Sequence, residues 1–209
     1  MTRKILALTA AFMFVAAAAS AQEGRGIGAG RVEIAAFPGG GMFFTKTTNG
    51  NEPAFGNYAL GGSLTWNVNR FVGMEAEGGG TVGVHQAFTF GETNYANQRS
   101  PSTWMYHGNV LVNPVGNNRP LVPYATAGLG GLTLCPCGPG VKDTLGITTY
   151  KTYLTGNLGG GVKYFATPHL GFRGDYRMFM IRNNDTAPLF FGRETRYGHR
   201  VQGGLILTY

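Results

Sequence analysis

From residue 31 onward the chain repeats one unit: a stretch of about ten residues in which bulky apolar side chains alternate with polar or small ones, closed by Asn, Gly, Pro or Asp. Side chains along a strand point to opposite faces in turn, so this period is that of a β-strand with two unlike faces. Eight such units occur, at 31–44, 57–68, 71–80, 103–113, 120–132, 152–165, 169–180 and 199–209. The connections between them alternate in length: long at 45–56, 81–102, 133–151 and 181–198, and short or moderate at 69–70, 114–119 and 166–168. An antiparallel cylinder whose two rims face different compartments requires that alternation, because hairpin turns collect on one rim and loops on the other. Helix is excluded as a general alternative, since the 35 glycines interrupt nearly every helical window.

The two columns of each strand carry different chemistry. At 170–180, Leu170, Phe172, Tyr176, Met178 and Met180 share a column with Gly174, whereas Arg173, Asp175 and Arg177 share the other. Val72, Met74 and Ala76 stand opposite Glu75 and Glu77, and Val201, Leu205, Leu207 and Tyr209 stand opposite Arg200, Gln202 and Thr208. The unit at 120–132 fits this sorting poorly, and the first unit is interrupted at Pro38-Gly39-Gly40-Gly41, the composition of a bulge or kink. A soluble ligand-binding barrel would turn the apolar column inward. The polar column, however, is rich in Gly, Ser, Thr and Ala and poor in Lys, which suits a cramped interior, and the bulky column suits a wall against lipid. Aromatic residues fall towards both rims, with Trp66, Phe71, Tyr124, Tyr164, Phe165 and Tyr209 at one and Phe43, Phe44, Tyr58, Trp104, Tyr153 and Phe179 at the other.

Residues 1–21 combine Arg3 and Lys4 with an apolar run and the Ala19-Ser20-Ala21 terminus, the pattern of a cleaved secretory signal peptide. The expected organisation is therefore a signal peptide at 1–21 and one barrel domain at 22–209. Removing Arg3 and Lys4 lowers the formal charge from +7 to +5, and the remaining basic residues are dispersed, so nucleic acid is not an expected partner.

Several segments carry a resemblance: Pro123-Tyr124-Ala125-Thr126-Ala127-Gly128-Leu129-Gly130-Gly131, Gly159-Gly160-Gly161-Val162-Lys163-Tyr164-Phe165, Arg173-Gly174-Asp175-Tyr176-Arg177 and Gly204-Leu205-Ile206-Leu207-Thr208-Tyr209. In these the chain resembles the small eight-stranded outer-membrane β-barrels, the group that includes the outer-membrane protein A transmembrane domain. The resemblance implies an all-β, eight-stranded antiparallel up-and-down transmembrane barrel in the bacterial outer membrane, a monomer surrounded by outer-membrane lipid with four long loops facing outward. It also implies that Tyr209 with Leu207, Leu205 and Val201 serves as the assembly signal read by the barrel-assembly machinery, although Gly203 departs from the apolar series.

The inward column collects Glu33, Glu75, Glu77 and Asp175 against Arg31, Lys163, Arg173, Arg177 and Arg200. In a barrel of eight strands, whose interior side chains can fill, such a set is expected to pair across the lumen and close it. A narrow porin-like channel for small solutes is the alternative reading of the same residues, and an exported lipocalin-like binder is a second. A non-enzymatic structural or surface-interaction role is the main expectation, with an unidentified extracellular partner at the loops. A lipid-modifying enzyme would need a serine nucleophile and a histidine base at one rim. Ser100 or Ser102 with His85 is the only combination in one loop, and no nucleophile motif surrounds it, so no catalytic residues are assigned. Neither a metal nor another cofactor is expected. Cys135-Pro136-Cys137 lies in the third long loop, where a local disulfide is favoured over free thiols or half of a soft-metal site.

Overall fold

The computed structural model describes residues 31–46, 52–182, 184 and 186–209. The expected signal peptide at 1–21 lies outside the described residues. The strands are β1 (Val32–Phe44), β2 (Phe55–Asn67), β3 (Val72–Gly83), β4 (His85–Phe90), β5 (Thr93–Arg99), β6 (Thr103–Val112), β7 (Leu121–Leu134), β8 (Lys151–Phe165), β9 (Leu170–Ile181) and β10 (Arg196–Thr208). Eight of them close into an antiparallel barrel in the order β1-β10-β9-β8-β7-β6-β3-β2, and β4 pairs with β5 as a separate hairpin. The seam is the β1–β10 ladder, which runs from Glu33 opposite Thr208 to Phe44 opposite Gly198. Closure leaves no barrel edge, so every wall strand has two neighbours for its backbone groups.

Each of the eight sequence units is a wall strand, with ends shifted by a few residues. The second long connection is not only loop: β4 and β5 turn at Gly91, whose φ of 60° suits glycine, and pair Phe88 with Tyr95. Neither strand has a regular buried column, so the period that marks the wall is missing from them.

In β1 the register slips between Ala36 and Gly39 against β10 and between Phe37 and Gly40 against β2. Pro38 has no N–H to offer a ladder, which makes this the natural place for the irregularity. Inward positions before the slip are odd-numbered (Glu33, Ala35, Phe37) and after it even-numbered (Met42, Phe44). The Tyr58 hydroxyl donates to the Pro38 carbonyl at 2.6 Å and fastens the bulge to β2. In β7, Val122 and Tyr124 turn their apolar bulk inward, which is why its two columns look alike in sequence.

The interior is layered. At the long-loop end, Met42, Phe44, Phe55, Met105, Leu132, Tyr153 and Phe179 from the wall pack against Phe88, Val141, Leu145, Ile147, Phe190 and Phe191 from the connections. A smaller apolar layer of Ala35, Phe37, Val122, Phe165 and Ile206 occupies the short-turn end. The ionic side chains lie between them, with the Arg200 guanidinium 5.0 Å from the Phe179 ring of one layer and the Arg173 guanidinium 5.3 Å from the Phe37 ring of the other. Five of the aromatics expected at the rims (Phe44, Tyr124, Tyr153, Phe165 and Phe179) therefore point inward, whereas Phe43, Tyr58, Trp66, Phe71, Trp104, Tyr164 and Tyr209 are exposed on the outer wall. Phe44 turns inward beyond the β1 bulge, and Tyr124 reaches the ionic layer rather than the rim.

Candidate functional site: the ionic lumen

β3 and β9 are four strands apart in either direction around the ring, so inward side chains from the two meet across the full width of the lumen. Glu75 on β3 accepts from Arg173 Nη1 at 2.5 Å and from Arg177 Nη2 at 2.7 Å, both on β9. Arg177 Nη1 donates to Glu77 Oε2 at 2.5 Å, and Arg200 from the adjacent β10 donates to the other oxygen of Glu77. Asp175 sits between its two neighbours on β9, accepting from Arg173 Nη2 and from Arg177 Nε, each at 2.9 Å. Three carboxylates and three guanidiniums thus form one charge-balanced cluster, and every member is at most 7% exposed.

Glu33 and Lys163 form a separate pair nearer the short-turn end. Lys163 Nζ donates to both carboxylate oxygens at 2.9 and 2.8 Å, and Asn67 Nδ2 adds a third bond at 2.8 Å. Eight of the nine residues expected in the inward column lie in the lumen. Arg31 does not: it precedes β1 at the rim and is exposed.

Uncharged partners complete the cluster; of these only Tyr124 is named from the sequence, as a rim aromatic. The Tyr124 hydroxyl donates to Asp175 Oδ2 at 2.5 Å and accepts from Arg173 Nε at 2.7 Å. Its ring fits because Gly161 faces it from β8: a Cβ there would come within 2.7 Å of the hydroxyl oxygen. Asn109 Nδ2 donates to Glu75 Oε1 at 3.0 Å, and His107 on the same strand pairs through Nε2 with Thr155 Oγ1 at 2.7 Å. The alternation of Met105, His107, Asn109 and Leu111 with Trp104, Tyr106, Gly108 and Val110 is the sequence signal that assigns these two to the lumen. Buried ionic groups need this degree of satisfaction, since an unpaired charge in a low-dielectric interior costs several kcal/mol.

Above the cluster, Arg196 ties two long connections together. Its Nε donates to the Thr45 carbonyl at 3.0 Å, Nη1 to that of Phe191 at 3.1 Å, and Nη2 to that of Pro53. The guanidinium lies 5.0 Å from the rings of both Phe55 and Phe191. The loop serines have structural engagements. Ser100 Oγ donates to Asn57 Oδ1 at 2.6 Å, Ser102 Oγ accepts from the Gly83 N–H at 3.1 Å, and His85 is exposed on β4 opposite Arg99. Cys135 and Cys137 follow β7 with Cα atoms 5.1 Å apart and their sulfurs bonded. Val201, Leu205, Leu207 and Tyr209 are exposed along the outer wall at the β10 seam.

A greasy outer wall around a sealed ionic interior inverts the arrangement of a water-soluble barrel. The family model described as outer membrane protein beta-barrel domain matches residues 5–191. The chain belongs to that family. It is an integral β-barrel of the bacterial outer membrane, and hydrocarbon covers its apolar wall. Among solved structures, it is similar to Neisserial surface protein A (TM-score 0.59, 13% identity, 86% of this chain and 97% of that one). It is also similar to the N-terminal β-barrel domain of Pseudomonas aeruginosa OprF (TM-score 0.53, 14% identity, 87% and 99%). A third similar structure is the outer membrane protein OprG of Pseudomonas aeruginosa (TM-score 0.52, 14% identity, 90% and 99%). At these identities the likeness is one of fold. No curated protein sequence matches the chain.

The wall of this outer-membrane barrel makes a direct prediction. Leu158 is 58% exposed at the middle of β8. Leu158→Arg is expected to destabilise the barrel by about 2–4 kcal/mol, the cost of an arginine near the bilayer midplane. Leu189, 69% exposed in the β9–β10 connection, should accept the same change with little effect. Urea unfolding in phospholipid vesicles measures both, and equal costs would contradict the membrane placement of β8.

Proposed function

We propose that this outer-membrane barrel is a non-conducting, non-enzymatic scaffold that carries four long connections outward for surface interaction. The observation that carries this reading is the charge-balanced cluster bridging β3 and β9 across the whole lumen, between two apolar layers. A hydrated ion crossing such an interior would have to displace paired charges and then pass through packed aromatic side chains, each a barrier of several kcal/mol. In support of a role at the surface, Phe88, Val141, Leu145, Ile147, Phe190 and Phe191 of the connections are buried in the upper layer, and Arg196 is bonded to the carbonyls of Thr45 and Phe191 from two of them. That arrangement presents a defined surface to an extracellular partner at low ordering cost. The engagement of Ser100 and Ser102 by Asn57 and Gly83 argues against a hydrolase at that rim.

Planar-bilayer recording of the purified, refolded protein tests the closed-lumen reading. No steps above the lipid background are expected, and reproducible unitary openings would replace this reading with the narrow channel. For biogenesis, the column of Val201, Leu205 and Leu207 on β10, with Tyr209 just beyond it, is proposed as the surface read by the barrel-assembly machinery, since β10 forms the closing seam with β1. Tyr209→Ala should slow the appearance of heat-modifiable, folded protein in the membrane fraction. Unchanged assembly kinetics would remove that role.

A further inference from the structure

The outer wall is uneven. Towards its short-turn end, where β2, β3, β6 and β7 lie side by side, a groove of about 680 Å3 crosses Ala76, Gly108 and Ala127. Trp66, Met74 and Leu129 flank it and are 52%, 54% and 69% exposed. The register gathers the short side chains, with Ala76 opposite Gly108 and Ala127 opposite Val110. A Cβ on Gly108 would meet nothing within 4 Å, so the groove is open above it. Beyond Leu129, a second groove of about 500 Å3 is lined by Gly156, Leu158, Met178 and Met180.

The rim below the first groove is basic. The short connections at 68–71, 113–120 and 166–169 contain Arg70, Arg119 and His169 but neither Asp nor Glu. Arg70, in the turn between β2 and β3, is exposed, with its guanidinium 4.6 Å over the Phe71 ring. Asn69 Oδ1 shapes that turn by accepting from the Phe71 and Val72 N–H groups at 2.7 and 2.8 Å. The Arg70 carbonyl accepts from the Asn117 N–H at 2.7 Å, which fastens the turn to the β6–β7 connection. Arg70 enters none of the ion pairs among the described residues. From Arg70 to Met74 is about 13 Å at the rise of a strand, within the ~15 Å half-thickness of a hydrocarbon core. The second groove lacks this pairing, because β8 and β9 turn through the uncharged Ala166-Thr167-Pro168.

We propose that the arc of β2, β3, β6 and β7 binds an anionic phospholipid of the leaflet at the short-turn end, with its phosphate at Arg70 and one acyl chain in the groove. A ligand that joins an apolar chain to a negative charge satisfies the groove and the arginine together. A second copy of the barrel fits less well, since it would bring the same basic rim and set like charges against each other. A zwitterionic phospholipid fills the groove but gains less at Arg70, because its own ammonium offsets the phosphate. One arginine at the membrane surface favours an anionic headgroup by about fivefold.

The chain has two tryptophans, and Trp104 faces outward near the opposite rim, so Trp104→Phe leaves Trp66 as the reporter in the groove. The test places this refolded barrel in phosphatidylcholine vesicles containing a graded fraction of bromine-labelled phosphatidylglycerol or bromine-labelled phosphatidylcholine. Quenching of Trp66 then gives the relative affinity of the two lipids at the site. A preference of about fivefold for phosphatidylglycerol is expected, weakening with added salt. Arg70→Gln should bring it below about twofold, and so should Gly108→Leu, which fills the groove without touching the rim. Gly156→Leu, in the second groove, should keep the full preference. Heat-modifiable gel migration verifies that each variant is folded. Equal quenching by the two lipids, a preference that survives either Arg70→Gln or Gly108→Leu, or its loss in Gly156→Leu would overturn the proposal.

Discussion

Arg177→Ala is expected to destabilise the barrel by about 3–5 kcal/mol, the cost of leaving buried carboxylates without their partner. Arg177 donates to Glu75, Glu77 and Asp175, and two of those bonds cross to the opposite wall. No other side chain of the cluster touches all three acids, and water has no ready access to a residue that is 0% exposed. The Glu33–Lys163 pair supplies the control. Lys163→Met alone strands a buried carboxylate and should cost a similar amount. The double change Glu33→Leu with Lys163→Met removes both charges and should recover most of that loss, because a well-packed apolar pair is often as stable as a buried ion pair. Equilibrium unfolding in urea, with the refolded protein in vesicles, measures all three. If Arg177→Ala cost less than about 1 kcal/mol, the size of a solvent-exposed pair, the cluster would have to be wet and the lumen open.

Phe55→Ala is expected to cost about 3–5 kcal/mol as well, but in a different place. Phe55 is buried at the start of β2, with its ring 4.6 Å from that of Phe44, 5.4 Å from Phe190 and 5.0 Å from the Arg196 guanidinium. Its removal opens a cavity where two connections meet the wall. The wall ladders below are untouched, so the loss should appear as local opening of the cap rather than as unfolding of the barrel. Chymotrypsin cleavage after Phe190 or Phe191 should then rise by roughly a hundredfold, the population change that about 3 kcal/mol brings, while heat-modifiable migration stays unchanged. Cleavage at the parental rate would mean that the cap does not depend on this ring.

The wall was legible because its determinant is local. Arg173, Asp175 and Arg177 against Phe172, Tyr176 and Met178 sort themselves by parity alone, and a closed ring of such strands leaves one side for the charges. The same argument reaches Glu33, Glu75, Glu77, Lys163 and Arg200. It failed where the determinant is not local. Phe44, Tyr153 and Phe179 sit at strand ends, and their inward bulk makes sense only once Phe190, Phe191 and Ile147 are known to fold back over them. The β4–β5 hairpin was invisible because His85–Phe90 and Thr93–Arg99 pair with each other without burying a face against the wall, which leaves no amphipathic period to read. Tyr124 is expected at the rim and lies instead in the ionic layer, since Val122 and Tyr124 fill the lumen with bulk that resembles an outward column.

The cap divides the last three long connections, as far as they are described, into roots and tips with opposite tolerances. Phe88, Val141, Leu145, Ile147, Ala187, Phe190 and Phe191 are tied to the interior, whereas Gly91, Glu92, Lys142 and Leu189 are exposed. A surface under pressure to change can do so at the tips, at little thermodynamic cost, but a substitution at a root reaches the barrel mouth. Diversification of this protein at the cell exterior is therefore confined to a few short arcs, and a peptide tag grafted at Gly91-Glu92 should leave the rest of the surface in place.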